Sequence, residues 1–234
     1  MSRKAISRRA FLHSAVLASA ATTLAGGSFY SPTPKPSPMK RVLLLGDSIR
    51  LGYEPFVREL LTDKAHVLAP IENCQHTVHH LMNFWNWVAP VQPDIIHLNA
   101  GLWDTRRVTP GGPDNIIPVE IYARNVRRLV ELIREHTRAR LLWATTTPVN
   151  MADYVRGNAQ RGNAGRHGPD IATYNSAALD IMRELHVPVN DLHDYVVRTG
   201  PATLLADDGI HYTPIGYAKL AAEVAQALQA ALAA

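Results

Sequence analysis

Hydrophobic positions along the chain form five short apolar runs separated by stretches with helical spacing. The runs, which we predict to be strands, are residues 42–45, 67–71, 94–99, 141–146 and 187–192. Apolar residues recur every three or four positions, as on one face of a helix, in residues 54–64, 78–88, 117–136, 170–185 and 214–232. Strands that alternate with helices favour a parallel sheet covered on both faces. We therefore predict an α/β fold, a three-layer α/β/α sandwich around a five-stranded parallel sheet.

The first 39 residues lack this alternation. Residues 1–27 carry the pair Arg8-Arg9 ahead of a mildly apolar segment, a pattern typical of cleaved twin-arginine export signals. Residues 28–39 contain alternating prolines and are predicted to be an extended linker. We accordingly expect one folded domain over residues 40–234, a periplasmic or secreted protein that uses the twin-arginine (Tat) machinery, and no stable membrane anchor. The alternative is a basic N-terminus that holds two arginines by chance.

The positive charge of the chain comes from this N-terminal segment. The formal net charge is +4, but four of the 24 Lys and Arg residues lie in the first nine positions, and the first 27 contain no acidic residue. Removing them leaves 20 basic and 20 acidic residues. A near-neutral domain gives no reason to expect nucleic acid as a partner. A single cysteine, Cys74, rules out an internal disulfide.

Candidate chemistry begins where the first predicted strand ends. The run of residues 42–45 leads into Gly46-Asp47-Ser48, so the serine lies at the carboxyl end of a strand, where ligands collect in open α/β sheets. A glycine there lets the backbone bend sharply, so that the hydroxyl projects over the sheet. The alternative is an ordinary polar turn.

The far end of the chain offers partners for this serine. A serine hydroxyl becomes a good nucleophile when a histidine takes its proton, and the histidine needs a carboxylate to fix its tautomer. Asp208 and His211 lie three positions apart on a turn that contains glycine, just before the last predicted helix. Otherwise His211 would serve only to pack or cap that helix.

Together the two ends of the chain resemble the SGNH, or GDSL-type, family of serine esterases and lipases, from about residue 40 to the C-terminus. The first block is matched by Gly46-Asp47-Ser48 and the last, DxxH, by Asp208 to His211. The resemblance implies a three-layer sandwich in which Ser48 is the nucleophile, His211 the base and Asp208 its partner. It implies no cofactor and no metal.

The middle blocks depart from the pattern of the family. The second block usually supplies a glycine as oxyanion donor, and here Gln75 stands about where it is expected. The third block, GxND, usually supplies an asparagine, and here Trp103 replaces it. Asn99 is close enough in sequence to be a substitute donor. Because Ser48, Gln75 and Trp103 each follow a predicted strand, we expect their loops at one edge of the sheet.

Three other features have competing interpretations. His76, His79 and His80 have helical spacing, but no matching carboxylate or cysteine set indicates a metal site. Cys74 is expected to be a partly buried thiol. The polar stretch 150–170 has no apolar period and is predicted to be either a flap at the rim of the site, offering Arg156, Arg161, Arg166 and His167 to the substrate, or a surface loop without a role.

These observations predict an exported serine esterase that acts on small acyl esters, and the resemblance to the family implies O-acetyl groups on carbohydrates as candidate substrates. An acyltransferase that passes the acyl group to a glycan is the first alternative. A glycan-binding protein without catalysis is the second, because Gln75 and Trp103 occupy the oxyanion blocks. Stacking of Trp103 on a sugar ring would suit either.

Overall fold

The computed structural model describes residues 39–109, 112–158, 165–166 and 168–233. The predicted signal peptide, residues 1–27, and all but the last residue of the predicted linker lie outside this range. None of the helices within it is long and apolar enough to cross a membrane.

Five parallel strands form one sheet, as predicted. They are β1 (Lys40–Leu45), β2 (Ala65–Leu68), β3 (Ile95–Asn99), β4 (Arg140–Ala144) and β5 (Val189–Asn190), in the order β2-β1-β3-β4-β5. This is a flavodoxin-like order, in which the strand order reverses between β1 and β3. The loops that leave these two strands therefore flank the crevice where such sheets bind ligands.

The second and fifth strands are shorter than predicted. Residues 69–71 are not part of β2, and the side chain of Ile71 is 99% exposed. The carbonyl of Pro70 instead accepts a hydrogen bond from the Arg50 guanidinium, 2.9 Å away. The backbone after Leu68 is thus hydrogen-bonded to a side chain of a neighbouring helix and not to a strand of the sheet.

Helices cover both faces of the sheet. They are α1 (Ser48–Leu60), α2 (Thr77–Trp87), α3 (Val119–His136), α4 (Met151–Asn158), α5 (Gly168–Glu184), α6 (Leu192–Thr199), α7 (Pro201–Leu204) and α8 (Pro214–Ala233). The five predicted helices are present, and α1 begins six residues earlier than predicted, at Ser48. Helices α4, α6 and α7 were not predicted. The expectation that stretch 150–170 has no secondary structure is wrong, since it contains α4 and the start of α5.

Alternate residues of β1 belong to two separate hydrophobic cores. Val42 and Leu44 lie in the core that α1, α6 and α8 cover. Leu43 and Leu45 lie in the core that α2, α3 and α5 cover. All four side chains are at most 2% exposed, as expected for a strand buried on both faces.

A glycine allows α1 and α8 to approach closely. A Cβ atom at Gly52 would lie 2.1 Å from ring atoms of Tyr217, in the first turn of α8. No side chain fits there, so the two helices pack with the Tyr217 ring against the Gly52 backbone. This contact places the beginning of α8, and the turn before it, beside the beginning of α1.

Candidate active site

Ser48 is the first residue of α1, three positions after β1 ends. The buried side chain of Asp47 caps the helix by accepting a hydrogen bond from the Ile49 N–H at 2.8 Å. A Cβ at Gly46 would lie 2.8 Å from the Cβ of Arg50, so the bend between strand and helix leaves no room for a side chain there. Like the other N–H groups of a first helical turn, that of Ser48 has no acceptor within the helix.

The three predicted catalytic side chains meet in one chain of hydrogen bonds. His211 Nε2 lies 2.9 Å from Ser48 Oγ, although the two residues are 163 positions apart. His211 Nδ1 lies 2.6 Å from Asp208 Oδ2. Because a carboxylate only accepts, Nδ1 carries the proton and Nε2 is left to accept from the serine. This is the arrangement needed for a histidine to act as base.

Asp208 also builds the turn that holds the histidine. Its Oδ1 accepts hydrogen bonds from the backbone N–H groups of Ile210 at 2.9 Å and His211 at 2.8 Å. Partial burial alone would raise the pKa of Asp208, but the His211 ring and these two N–H groups outweigh it and lower the pKa below its usual value. The Asp208 carboxylate is therefore ionised at neutral pH.

Arg50, which the sequence analysis did not single out, fastens the second block to the first. Its side chain is 1% exposed and donates to the carbonyl of Glu72 at 2.6 Å as well as to that of Pro70. Its charge is balanced by Glu54, 2.5 Å away and one turn along α1. The Cys74 N–H adds a bond to the Gly46 carbonyl at 3.1 Å. The Arg-Glu pair at i, i+4 directly after the motif was the available sequence signal.

Asp104 joins the third block to the second. Its Oδ1 accepts from the Thr77 N–H at 3.0 Å and from the Thr77 hydroxyl at 2.6 Å, at the start of α2. Burial raises the pKa of Asp104 to about 6, against the lowering effect of these hydrogen bonds. The loops after β1, β2 and β3 are thus linked at one edge of the sheet, as predicted.

The residues predicted to be oxyanion donors make contacts of their own. Gln75 has a φ of +52°, the left-handed region that favours glycine, and its N–H donates to Asn73 Oδ1 at 2.8 Å. The buried amide of Asn99 donates to the Ala144 carbonyl at 2.9 Å. Trp103 is half-buried, with the Arg106 guanidinium 4.7 Å from the centre of its ring. The main-chain N–H of Gln75 and one N–H of the Asn99 amide are therefore engaged within the protein.

Comparison with known proteins agrees with this geometry. The model of the GDSL-like Lipase/Acylhydrolase family matches residues 44–219, which include Ser48, Asp208 and His211. The chain belongs to this family. It is accordingly a carboxylic ester hydrolase. A search of curated proteins found no match to the chain.

Solved structures with the same fold include other esterases. A lipase/acylhydrolase from Enterococcus faecalis has a TM-score of 0.67 at 19% identity, over 82% of this chain and 96% of that one. The acetyl xylan esterase AlAXEase has a TM-score of 0.64 at 17% identity, over 80% and 99%. Axe2, an acetylxylan esterase from Geobacillus stearothermophilus, has a TM-score of 0.63 at 17% identity, over 80% and 93%. At these identities the likeness concerns the fold.

Three histidines of this GDSL-family chain, His76, His79 and His80, make contacts within the protein. The His76 ring caps α2 by accepting from the His79 N–H at 3.2 Å. His80 is buried, and burial lowers its pKa to about 3, so the ring is neutral. Among the described residues, no three His, Cys, Asp or Glu side chains are grouped as a metal site requires. Cys74 is fully buried, which raises the pKa of its thiol and keeps it unreactive.

The end of stretch 150–170 lies against the third block. The Gly165 carbonyl accepts from the Arg107 N–H at 2.8 Å, and the Arg166 guanidinium donates to the Leu102 carbonyl and, at 3.3 Å, to Thr105 Oγ1. Burial raises the pKa of Asp47, and Arg166 is close enough to counter part of that rise. Arg166 is therefore within electrostatic reach of Asp47, the residue before Ser48. The side chains of Arg156, Arg161 and His167, also predicted for this rim, fall outside the described residues.

Proposed function

We propose that this GDSL-family hydrolase is a serine esterase that removes small acyl groups, with O-acetyl groups on carbohydrates as its substrates. The observation that carries the proposal is the continuous chain of hydrogen bonds from Ser48 Oγ through His211 to Asp208, at 2.9 and 2.6 Å. A protein that only bound glycans would have no use for a histidine in this tautomer.

In the first half of the reaction, Ser48 Oγ attacks the ester carbonyl carbon while its proton passes to His211 Nε2. The C–O bond to the alcohol then breaks, and His211 returns the proton to the departing oxygen. In the second half, His211 takes a proton from water, whose oxygen attacks the carbonyl carbon of the acyl-serine. The bond from that carbon to Ser48 Oγ then breaks, His211 returns the proton to Oγ, and the acid is released. Asp208 holds Nδ1–H throughout. The Ser48 N–H serves as one oxyanion donor, a kind of contact worth about 3 kcal/mol.

One comparison and one structural observation support this substrate class. Two solved structures of similar fold are named acetyl xylan esterases. The described helices near the site, α4 and α7, have only eight and four residues, so this part of the chain offers no large apolar cover for a long acyl chain.

Hydrolysis of p-nitrophenyl acetate by the wild-type protein tests the mechanism, beside Ser48→Ala and His211→Ala. Ser176→Ala and His66→Ala are matched controls, because these are exposed residues elsewhere on the domain. We expect both triad variants to fall to background and both controls to retain activity. Equal turnover by all five proteins would contradict the assignment. Release of p-nitrophenol that requires a glycan acceptor and yields an acetylated glycan in place of free acetate would favour the acyltransferase.

We also propose that the protein is exported by the twin-arginine route, on the basis of Arg8-Arg9 and the apolar segment that follows. Replacing both arginines with lysine should leave the precursor inside the cell, as seen by fractionation and immunoblotting. Lys4→Gln, outside the arginine pair, is the control. Unchanged export of the double variant would contradict this route.

A further inference from the structure

Arg106 carries a charge that no group in the described part of the chain balances. Its side chain is half-buried over the Trp103 ring, and within that part it makes no hydrogen bond or ion pair. The next residue, Arg107, is paired by contrast. It forms an ion pair with Asp170 at 2.8 Å and donates a hydrogen bond to Asn115 Oδ1 at 2.7 Å. Taking a guanidinium partly out of water without a partner is costly, so the site is suited to an anion that comes from outside.

Arg166 lies close to Arg106 and adds to the positive charge. Its guanidinium is fixed by Leu102 and Thr105, and its Nε is buried without a hydrogen-bond partner. Burial lowers the pKa of Arg166 to about 10, and the positive charge of Arg106 adds to the decrease, against the opposing effects of Tyr154 and Asp47. Two guanidinium groups that repel each other would both be stabilised by one bound anion.

The position of this pair relates it to the nucleophile. Arg166 is near the carboxylate of Asp47, the residue before Ser48. Arg106 and Trp103 belong to the loop after β3, which Asp104 fastens to the loop after β2. An anion held by the two arginines would thus lie on the same edge of the sheet as Ser48, against the loop that follows β3.

We propose that Arg106 and Arg166, together with Trp103, form a subsite for a carboxylate on the substrate, so that the enzyme prefers acyl esters of acidic sugars. A guanidinium presents two parallel N–H groups to a carboxylate, and an indole ring offers a flat apolar surface to a pyranose. This inference rests on the esterase function proposed above and specifies its substrate.

The test compares two acetyl esters of nearly the same shape and different charge, an O-acetylated methyl galacturonide and its neutral primary amide. We expect wild-type kcat/KM to favour the acidic sugar about tenfold, the size of a charge-assisted hydrogen bond in a partly exposed site. The preference should shrink as salt is added. In Arg106→Gln the ratio of the two kcat/KM values should fall towards one, and in Arg106→Lys it should be intermediate.

Arg128→Gln is the matched control, because it removes one positive charge from α3, where Arg128 is half-exposed and pairs with Glu135 at 3.0 Å. The control should keep the wild-type ratio. The proposal is overturned if wild type handles both esters equally, or if the preference survives in Arg106→Gln. Should Arg106→Gln not fold, the lysine variant and the salt dependence decide.

A binding measurement separates this proposal from the esterase proposal. Calorimetric titration of the inactive Ser48→Ala variant with methyl galacturonide and methyl galactoside requires no turnover. We expect the acidic glycoside to bind about tenfold more tightly, and the advantage to disappear when Arg106→Gln is added. Equal affinity for the two glycosides, or none for either, refutes the subsite even if the esterase is active. Selective binding without turnover refutes only the esterase.

Discussion

Asp208→Asn tests whether the carboxylate acts on the histidine or only builds the turn. The side chain makes both kinds of contact, with Oδ2 at 2.6 Å from His211 Nδ1 and Oδ1 accepting from two backbone N–H groups. The amide retains an oxygen for the turn. Its NH2 would face Nδ1, favouring the tautomer that places a proton on Nε2, towards Ser48. The variant should therefore lose activity while keeping its fold.

The size of the loss follows from two contributions. Unit charges about 4 Å apart interact by ~4 kcal/mol at an effective dielectric constant of about 20, roughly halved for solvent-exposed groups. The halving applies because the Asp208 and His211 side chains are 38% and 42% exposed. Forcing the histidine back into its productive tautomer costs about another 2 kcal/mol, the size of a lost hydrogen bond to a charged group. Together these predict a kcat lower by about 10³-fold.

Initial rates on p-nitrophenyl acetate and urea unfolding measure the two effects separately. The free energy of unfolding should change by less than about 1 kcal/mol, because the turn keeps its acceptor. Asp207→Asn is the matched control, since Asp207 is exposed and adjacent. A kcat within tenfold of wild type for Asp208→Asn, or an equal loss in Asp207→Asn, would refute this account.

Three further predictions concern the loops around the site. Arg50→Met should lower the free energy of unfolding in urea by about 3–5 kcal/mol, because it breaks the buried ion pair with Glu54 and removes the donor to the Pro70 and Glu72 carbonyls; a loss under 1 kcal/mol would contradict this role of Arg50. Asp104 binds its proton more tightly when folded, at a pKa of about 6 against 3.8, so stability should fall as pH rises from about 4 to 6, by roughly 3 kcal/mol. Asp104→Asn should lack this fall, and parallel profiles would refute it. Gln75→Gly should stabilise the fold by up to about 1 kcal/mol and so raise the midpoint temperature of thermal unfolding, because glycine has no steric penalty at positive φ. A lower midpoint temperature would show that the glutamine side chain holds the turn.

The fold and the three side chains that meet at the candidate site were accessible from sequence because their signals are local. Each strand is an apolar run, and Ser48, Asp208 and His211 stand in short motifs whose spacing carries their chemistry. The unpredicted helices were less visible for different reasons. α6 has only a short apolar face, Leu192 and Val196, behind the Asp191 cap, and α7 has four residues.

The features that could not be predicted from the sequence depend on contacts between residues that are distant along the chain. Residues 69–71 are apolar enough for a strand. The strand stops at Leu68 because the Arg50 side chain, 20 positions earlier in the chain, binds the Pro70 carbonyl. The unusual backbone of Gln75 could be inferred from its place in the family pattern. That its N–H is used by Asn73 could not, because an Asn side chain two positions earlier has several acceptable partners.

The contact between α1 and α8, which Gly52 makes possible, brings together two residues that are synthesised at different times. Ser48 is synthesised early, but His211 follows 163 residues later, just ahead of the final helix. At about 5–20 residues per second, translation separates the two by roughly 8 to 33 seconds. On the proposed mechanism the serine has no base during that interval, so we expect the growing chain, like a chain truncated before Asp208, to be inert towards esters.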